Sequence, residues 1–144
     1  MTPPPAATSG RIVESSFVAH PLMRGAHLQT ILPALLRPTP ALELSVECLE
    51  LPDGDFVELG WAGPDIDDAT PLAILIHGLG GSFESKYLRG LARQLIAAGW
   101  RICALQQRGA GTRPNRLPRA YNHGDSAPLQ HLWRQLRGRY PHRF

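Results

Sequence analysis

The sequence predicts an α/β fold, and three observations carry that prediction. "LAILI", Leu72 to Ile76, places five apolar residues in a row without alternation, as in a parallel-sheet strand covered on both faces. "SKYLRGLARQLIAAGW" then brings Leu88, Leu91, Ala92, Leu95 and Ile96 to helical spacing, with Gly99 placed to end the helix. "RICAL", Arg101 to Leu105, reads as a second buried strand, so that strand, helix and strand make one right-handed crossover.

The other elements follow around that unit. A length of 144 residues at 43% apolar content suits one domain with a real core. Residues 1–16 read as a flexible Pro/Ser/Thr-containing arm, and residues 17–144 as the domain. In "FVAHPLMRGAHLQTILPALLRPTP" the apolar residues Phe17, Leu22, Leu28, Ile31, Leu32, Leu35 and Leu36 surround Pro21, Pro33 and Pro38. Those prolines forbid one long helix, so short helical turns packed on something larger are expected. "LELSVECLELPDGDFVELGW" alternates on both sides of Asp53-Gly54, as two half-buried strands joined by a tight turn do. "GPDIDDATP" is a loop. "SAPLQHLWRQLRGRY" repeats the helical pattern through Leu129, Leu132, Trp133 and Leu136, with Ser126 as N-cap and Pro128 in the first turn. A parallel sheet would continue with another strand after this helix, and none follows. No internal repeat is present.

Composition narrows the function classes. Cys48 and Cys103 sit in apolar or alternating stretches and read as buried free thiols, which fits a reducing cytoplasm. No CxxC or paired His-Cys spacing offers a metal site. The prolines of "MTPPPAATSGRIVESS" stand where a signal peptide needs apolar residues, and no apolar run approaches the ~20 residues of a membrane span. A cytoplasmic protein without a membrane span is expected. Charge is divided along the chain: residues 1–84 sum to −8 and residues 85–144 to +11. A basic half can mark nucleic-acid binding. Here Arg108, Arg113, Arg116, Arg119, Arg134, Arg137, Arg139 and Arg143 are spread over a loop, a helix and the chain end, with no stacking aromatics between them. An exposed arginine-rich surface is expected, and no nucleic-acid partner.

The chemistry-bearing stretch is "AILIHGLGGSFESKY", Ala73 to Tyr87. A glycine-rich turn between strand and helix can cradle a phosphate, stabilise an oxyanion, or only reverse the chain. A dinucleotide fingerprint needs G-x-G-x-x-G, and reading from Gly78 puts Phe83 at the third glycine. The second strand ends in "LQQRG" with no acid for a ribose, although Arg108 could face a 2′-phosphate. No G-K-[ST] is present, which excludes a P-loop. The oxyanion reading asks for glycines where backbone must approach a substrate carbonyl closely. Leu79 N–H is then the first choice of donor and Gly80 N–H the second, with His77 and Gly78 lining the substrate. The spacing alone leaves a bare βα turn equally open.

From about Phe17 onward the chain carries four ordered stretches, "GAHLQTILPALLR", "LPDGDFVELGW", "LIHGLGGSFESKYLRGLARQLIAAGWR" and "QQRGAGTRPNRLPRAYNHGD". In these it resembles the N-terminal half of the YheT-like α/β-hydrolases. The resemblance implies an incomplete α/β-hydrolase fold here: the hairpin, the first parallel βαβ unit and a following helix, with strand order one-two-four-three-five. It implies an esterase of short-chain or lipid-like esters, no cofactor, and a Ser-Asp-His triad with its serine in G-x-S-x-G. None of Ser9, Ser15, Ser16, Ser45, Ser82, Ser85 and Ser126 lies in that motif. The nearest miss, Gly80-Gly81-Ser82-Phe83-Glu84, lacks the final glycine. None of His20, His27, His77, His123, His131 and His142 stands where the triad base would, and structural hydrogen bonding is expected of His27, His77 and His123. The expectation is a truncated hydrolase, inactive alone, whose third strand is an exposed edge open to self-association. The alternatives are a non-catalytic interaction remnant using that edge or the basic half, and a dinucleotide-binding βαβ protein.

Overall fold

The computed structural model describes residues 13–21, 24–67 and 69–141. The expected arm therefore falls outside the described residues up to position 12, as does His142. Two compact units are present, residues 1–37 and 38–144.

Among its described residues the first unit carries one α-helix, α1 (Ala26–Leu36), with Pro33 inside it and no buried residue. This corrects the expectation of broken helical turns. Pro33 lacks the N–H that would bond the carbonyl of Gln29, yet the helix continues to a last turn closed by Arg37 N–H on Pro33 O at 3.3 Å.

The second unit is a four-stranded sheet with two helices. The strands β1 (Ser45–Glu50), β2 (Phe56–Ala62), β3 (Leu72–Ile76) and β4 (Arg101–Gln106) lie in the order β1-β2-β4-β3. β1 and β2 pair antiparallel, β2 and β4 antiparallel, and β3 and β4 parallel. α2 (Lys86–Ala97) connects β3 to β4, and α3 (Ala127–Arg139) follows the long loop after β4. Successive residues of β4 enter different clusters: Cys103 and Leu105 pack with Leu132 and Leu136 of α3, while Ile102 and Ala104 pack with Leu88 and Ala92 of α2. The two helices thus cover opposite faces, and that is why the strand reads as an unbroken apolar run.

The hairpin strands are not both half-buried: β2 lies inside the sheet and is buried almost throughout, whereas β1, at the edge, is mostly exposed. Cys48 on β1 is accordingly exposed, against the expectation of two buried thiols, and only Cys103 is sealed. β3 is the other edge; Leu75 is buried, but Ile76 is 43% exposed, so this run is not covered along its length. The hairpin turns through three residues, Pro52-Asp53-Gly54, with Gly54 N–H on Leu51 O at 3.0 Å and Leu51 N–H on Asp55 O at 2.8 Å. α2 ends as expected. Gly99, at φ +84°, donates to Ile96 O, and Trp100 N–H reaches Leu95 O, closing a Schellman cap. Leu91 of α2 and Trp133 of α3 are exposed rather than core residues. Among the described residues no helix is long and apolar enough to cross a membrane, and no group of His, Cys, Asp and Glu could hold a metal ion.

Candidate active site

The glycine turn leaves the C-terminal end of β3. Gly81 N–H closes it on Gly78 O at 2.9 Å, and Gly80 at φ +70° gives it the geometry of a type II turn. Two phenols hold its flanks. Gly78 N–H donates to Tyr87 Oη at 2.6 Å, and Gly80 N–H donates to Tyr121 Oη at 2.7 Å. Between them, Leu79 N–H meets no protein acceptor among the described residues, and the Leu79 side chain is largely exposed. The two expected donors therefore differ: Leu79 N–H is open, while Gly80 N–H is engaged by Tyr121. Gly81 is the sterically tight position, because a Cβ there would lie 2.9 Å from both Gly78 O and Tyr87 Oη.

His77 is buried and fully committed. Its Nδ1 lies 2.9 Å from Gly78 O, and its Nε2 accepts from Gln107 N–H at 3.1 Å, which fixes the neutral tautomer protonated on Nδ1. Gln107 returns a bond from its side-chain amide to His77 O at 2.9 Å. The imidazole braces the ends of β3 and β4 together and has no lone pair left for proton transfer. Around this turn is a cavity of about 300 Å³, lined by His77, Gly78 and Leu79, by Leu105 and Gln107 at the end of β4, and by Tyr121, His123 and Asp125 before α3. His123 lines it; His27 lies on α1 and His131 on α3.

Phe83, the residue at the third fingerprint position, settles on the core. Its ring stands 3.2–3.3 Å from where a Cβ of Gly60 would be, and its N–H donates to Gln106 Oε1 at 2.9 Å. The place a dinucleotide motif reserves for close helix–strand approach is filled by an aromatic ring.

Arg113, Arg116, Arg119, Arg134, Arg137 and Arg139 are exposed as expected, whereas Arg108 departs from the expected exposed arginine surface. It is 3% exposed and donates to Asp55 at 2.8 Å and Asp53 at 2.6 Å, both on the hairpin connection. Its Nε faces Asp125 Oδ2 at 3.8 Å, neither atom having a hydrogen-bond partner. Asp55, fully buried, also accepts from Arg116 N–H at 3.0 Å and Asn115 Nδ2 at 3.1 Å. Burial alone would raise its pKa, but hydrogen bonds from Phe56 N–H, Arg116 N–H, Asn115 and Arg108 outweigh it and hold the carboxyl at about 2. Further ion pairs join Arg116 to Glu50, Arg119 to Asp53 and Asp125, and Arg139 to Glu47. Most of these bonds tie acids of the hairpin to arginines of the C-terminal half, so the charge division of the sequence is largely answered within the fold. Sequence reasoning missed Tyr87, Tyr121 and this cluster. The signal for the cluster was an arginine directly after a buried strand, facing an Asp-Gly-Asp turn.

A four-stranded mixed sheet with helices on both faces and a glycine turn after β3 defines the class. The fold matches an α/β serine hydrolase homologue from Coxiella burnetii (TM-score 0.55, 19% identity, 72% of this chain and 50% of that one). It also matches the Pyrococcus furiosus esterase Pf2001 (TM-score 0.51, 19% identity, 70% of this chain and 38% of that one). In sequence the chain is 37% identical over 124 residues to the "Putative esterase YheT" of Escherichia coli, covering 83% of this chain and 36% of that protein. It is 29% identical to the embryogenesis-associated protein EMB8 of Picea glauca, covering 71% of this chain and 24% of that protein. A monoacylglycerol lipase of Saccharomyces cerevisiae is 30% identical over 78 residues, 54% of this chain and 17% of that protein. No family model matches. The chain belongs to the YheT-like α/β-hydrolases. It spans about a third or less of the length of these relatives.

Proposed function

We propose that the chain builds the oxyanion side of a carboxylic-ester hydrolase site, with Leu79 N–H as the donor to the substrate carbonyl oxygen. The observation that carries this reading is the open Leu79 N–H on a turn fixed at both flanks, beside a cavity at the ends of β3 and β4. As an ester carbonyl becomes tetrahedral its oxygen takes on full negative charge, and an amide already aimed there needs no reorganisation. Such a donor contributes ~2.7–4 kcal/mol to the transition state in enzymes where it was removed. Relatives named as an esterase and a monoacylglycerol lipase favour short-chain or lipid-like esters as the substrate class. Two free cysteines accord with a reducing, cytoplasmic setting.

The 144 residues supply a donor without a nucleophile: no serine stands in G-x-S-x-G, and both ring nitrogens of His77 are spent. We infer that the chain alone does not turn over esters. Two experiments test the reading. Titration of the ¹⁵N-labelled chain with methylphosphonate, a tetrahedral anion shaped like the intermediate, is expected to displace the Leu79 amide resonance selectively; an unmoved Leu79 rejects the oxyanion role. A fluorophosphonate serine probe is expected to leave the chain unlabelled, and stoichiometric labelling would overturn the inference of inactivity.

A further inference from the structure

We propose that Tyr121 is a positioning residue for the glycine turn: its hydroxyl takes up the Gly80 N–H, so that the turn presents Leu79 N–H alone to the cavity. What Leu79 is for rests on the ester-hydrolase reading; that Tyr121 orders the turn does not.

Tyr121 lies 41 residues from Gly80, yet it is fixed at three points. Its N–H donates to Arg108 O at 3.3 Å, its ring meets the buried His77 ring edge-on at 5.6 Å and 89°, and its Oη accepts from Gly80 at 2.7 Å. The loop is pinned on both sides of it. Upstream, Arg108 is locked to Asp53 and Asp55; downstream, Asp125 faces Arg108 and pairs with Arg119 at 2.9 Å. The hydroxyl therefore arrives at Gly80 from a loop anchored on both sides.

The bond is not there to rescue a buried amide. Gly78, Leu79 and Gly80 are all exposed, and water could satisfy their N–H groups at little cost. An ordered phenol on an exposed amide instead fixes direction: a type II turn can flip its central peptide, and the bond from Gly80 to Tyr121 holds that peptide in one orientation. The same logic holds at Gly78, where Tyr87 of α2 supplies the matching hydroxyl. With both neighbours occupied, the turn selects one donor out of three consecutive amides.

The test is Tyr121→Phe in the full chain, with Tyr87→Phe as its control, read by ¹⁵N–¹H spectra and amide exchange. For Tyr121→Phe the Gly80 amide proton is expected to move upfield and exchange about two- to tenfold faster, the loss that one net hydrogen bond gives. Gly78 should stay in place, and the urea midpoint should fall by no more than the loss of that one bond. Tyr87→Phe should move Gly78 and leave Gly80. An unchanged Gly80 in Tyr121→Phe overturns the proposal, as does a shift spread over the whole core with a lowered midpoint. Methylphosphonate separates the two readings. A wild-type chain in which Leu79 ignores the anion while Gly80 still depends on Tyr121 refutes the ester reading and supports the positioning role.

Discussion

Arg108 donates to Asp55 at 2.8 Å across 53 residues of sequence, with both side chains all but sealed from solvent. Strand order makes the pair possible. The hairpin places Asp55 just before β2, and β4, lying against β2, delivers Arg108 just past its own end. Removing one member of a buried pair strands the other, which costs about 3–5 kcal/mol, a large share of a small domain's stability. Arg108→Met is therefore expected to lower the urea midpoint sharply. Arg116→Ala, which removes an exposed pair with Glu50, a bond to Gly54 O and a contact over the Phe56 ring but strands no buried charge, should lower it much less. Equal, small effects of the two substitutions would show that the cluster contributes little.

Acid should act through the same carboxylate. Asp55 has a folded-state pKa of about 2 against an ordinary value of 3.8. A depressed carboxyl contributes stability that is present above the unfolded pKa and lost as pH falls through the folded one. The Asp55 contribution is thus intact above about pH 4 and drains away between about pH 4 and 2. In Asp55→Asn that component of the acid-unfolding curve should vanish, with the remaining pH dependence unchanged. Midpoints of urea unfolding measured across this window check it.

The βαβ unit and the hairpin were legible in the sequence because burial on two faces and on one face leave different periods. What was not legible depends on who sits beside whom. Cys48 and Cys103 occur in similar local patterns, yet one lies on the edge strand β1 and the other within β4. The open Leu79 N–H could be picked from the glycine spacing, whereas its two tyrosine neighbours could not, since Tyr121 reaches the turn only through the Arg108 anchor. Pro33 misled for a different reason: proline's penalty was read as a prohibition, and α1 carries it within the helix.

The thiols provide a direct check of that strand placement. Burial pushes the Cys103 thiol up to about 12, so it is neither accessible nor ionised at neutral pH. Cys48 is exposed. A disulfide reagent such as DTNB should titrate one thiol in the native chain and two in denaturant. Cys48→Ser should abolish the native reaction, and Cys103→Ser should leave it intact.

Gly80 and Gly81 are adjacent and should fail for different reasons. Gly80 sits at φ +70° with nothing within 4 Å of a built Cβ, so alanine there meets only the left-handed backbone penalty, about 1–2 kcal/mol. Asparagine tolerates that region, so Gly80→Asn should recover part of the loss. Gly81 has ordinary φ, but its Cβ would press on Gly78 O and Tyr87 Oη at 2.9 Å and on Ser85 Oγ at 3.0 Å. Gly81→Ala should therefore push Tyr87 off the Gly78 amide, and asparagine should do no better than alanine. Urea midpoints together with the Gly78 and Gly80 amide resonances separate the two cases. A Gly80→Asn chain as damaged as Gly80→Ala would mean that space, not backbone conformation, sets the glycine at position 80.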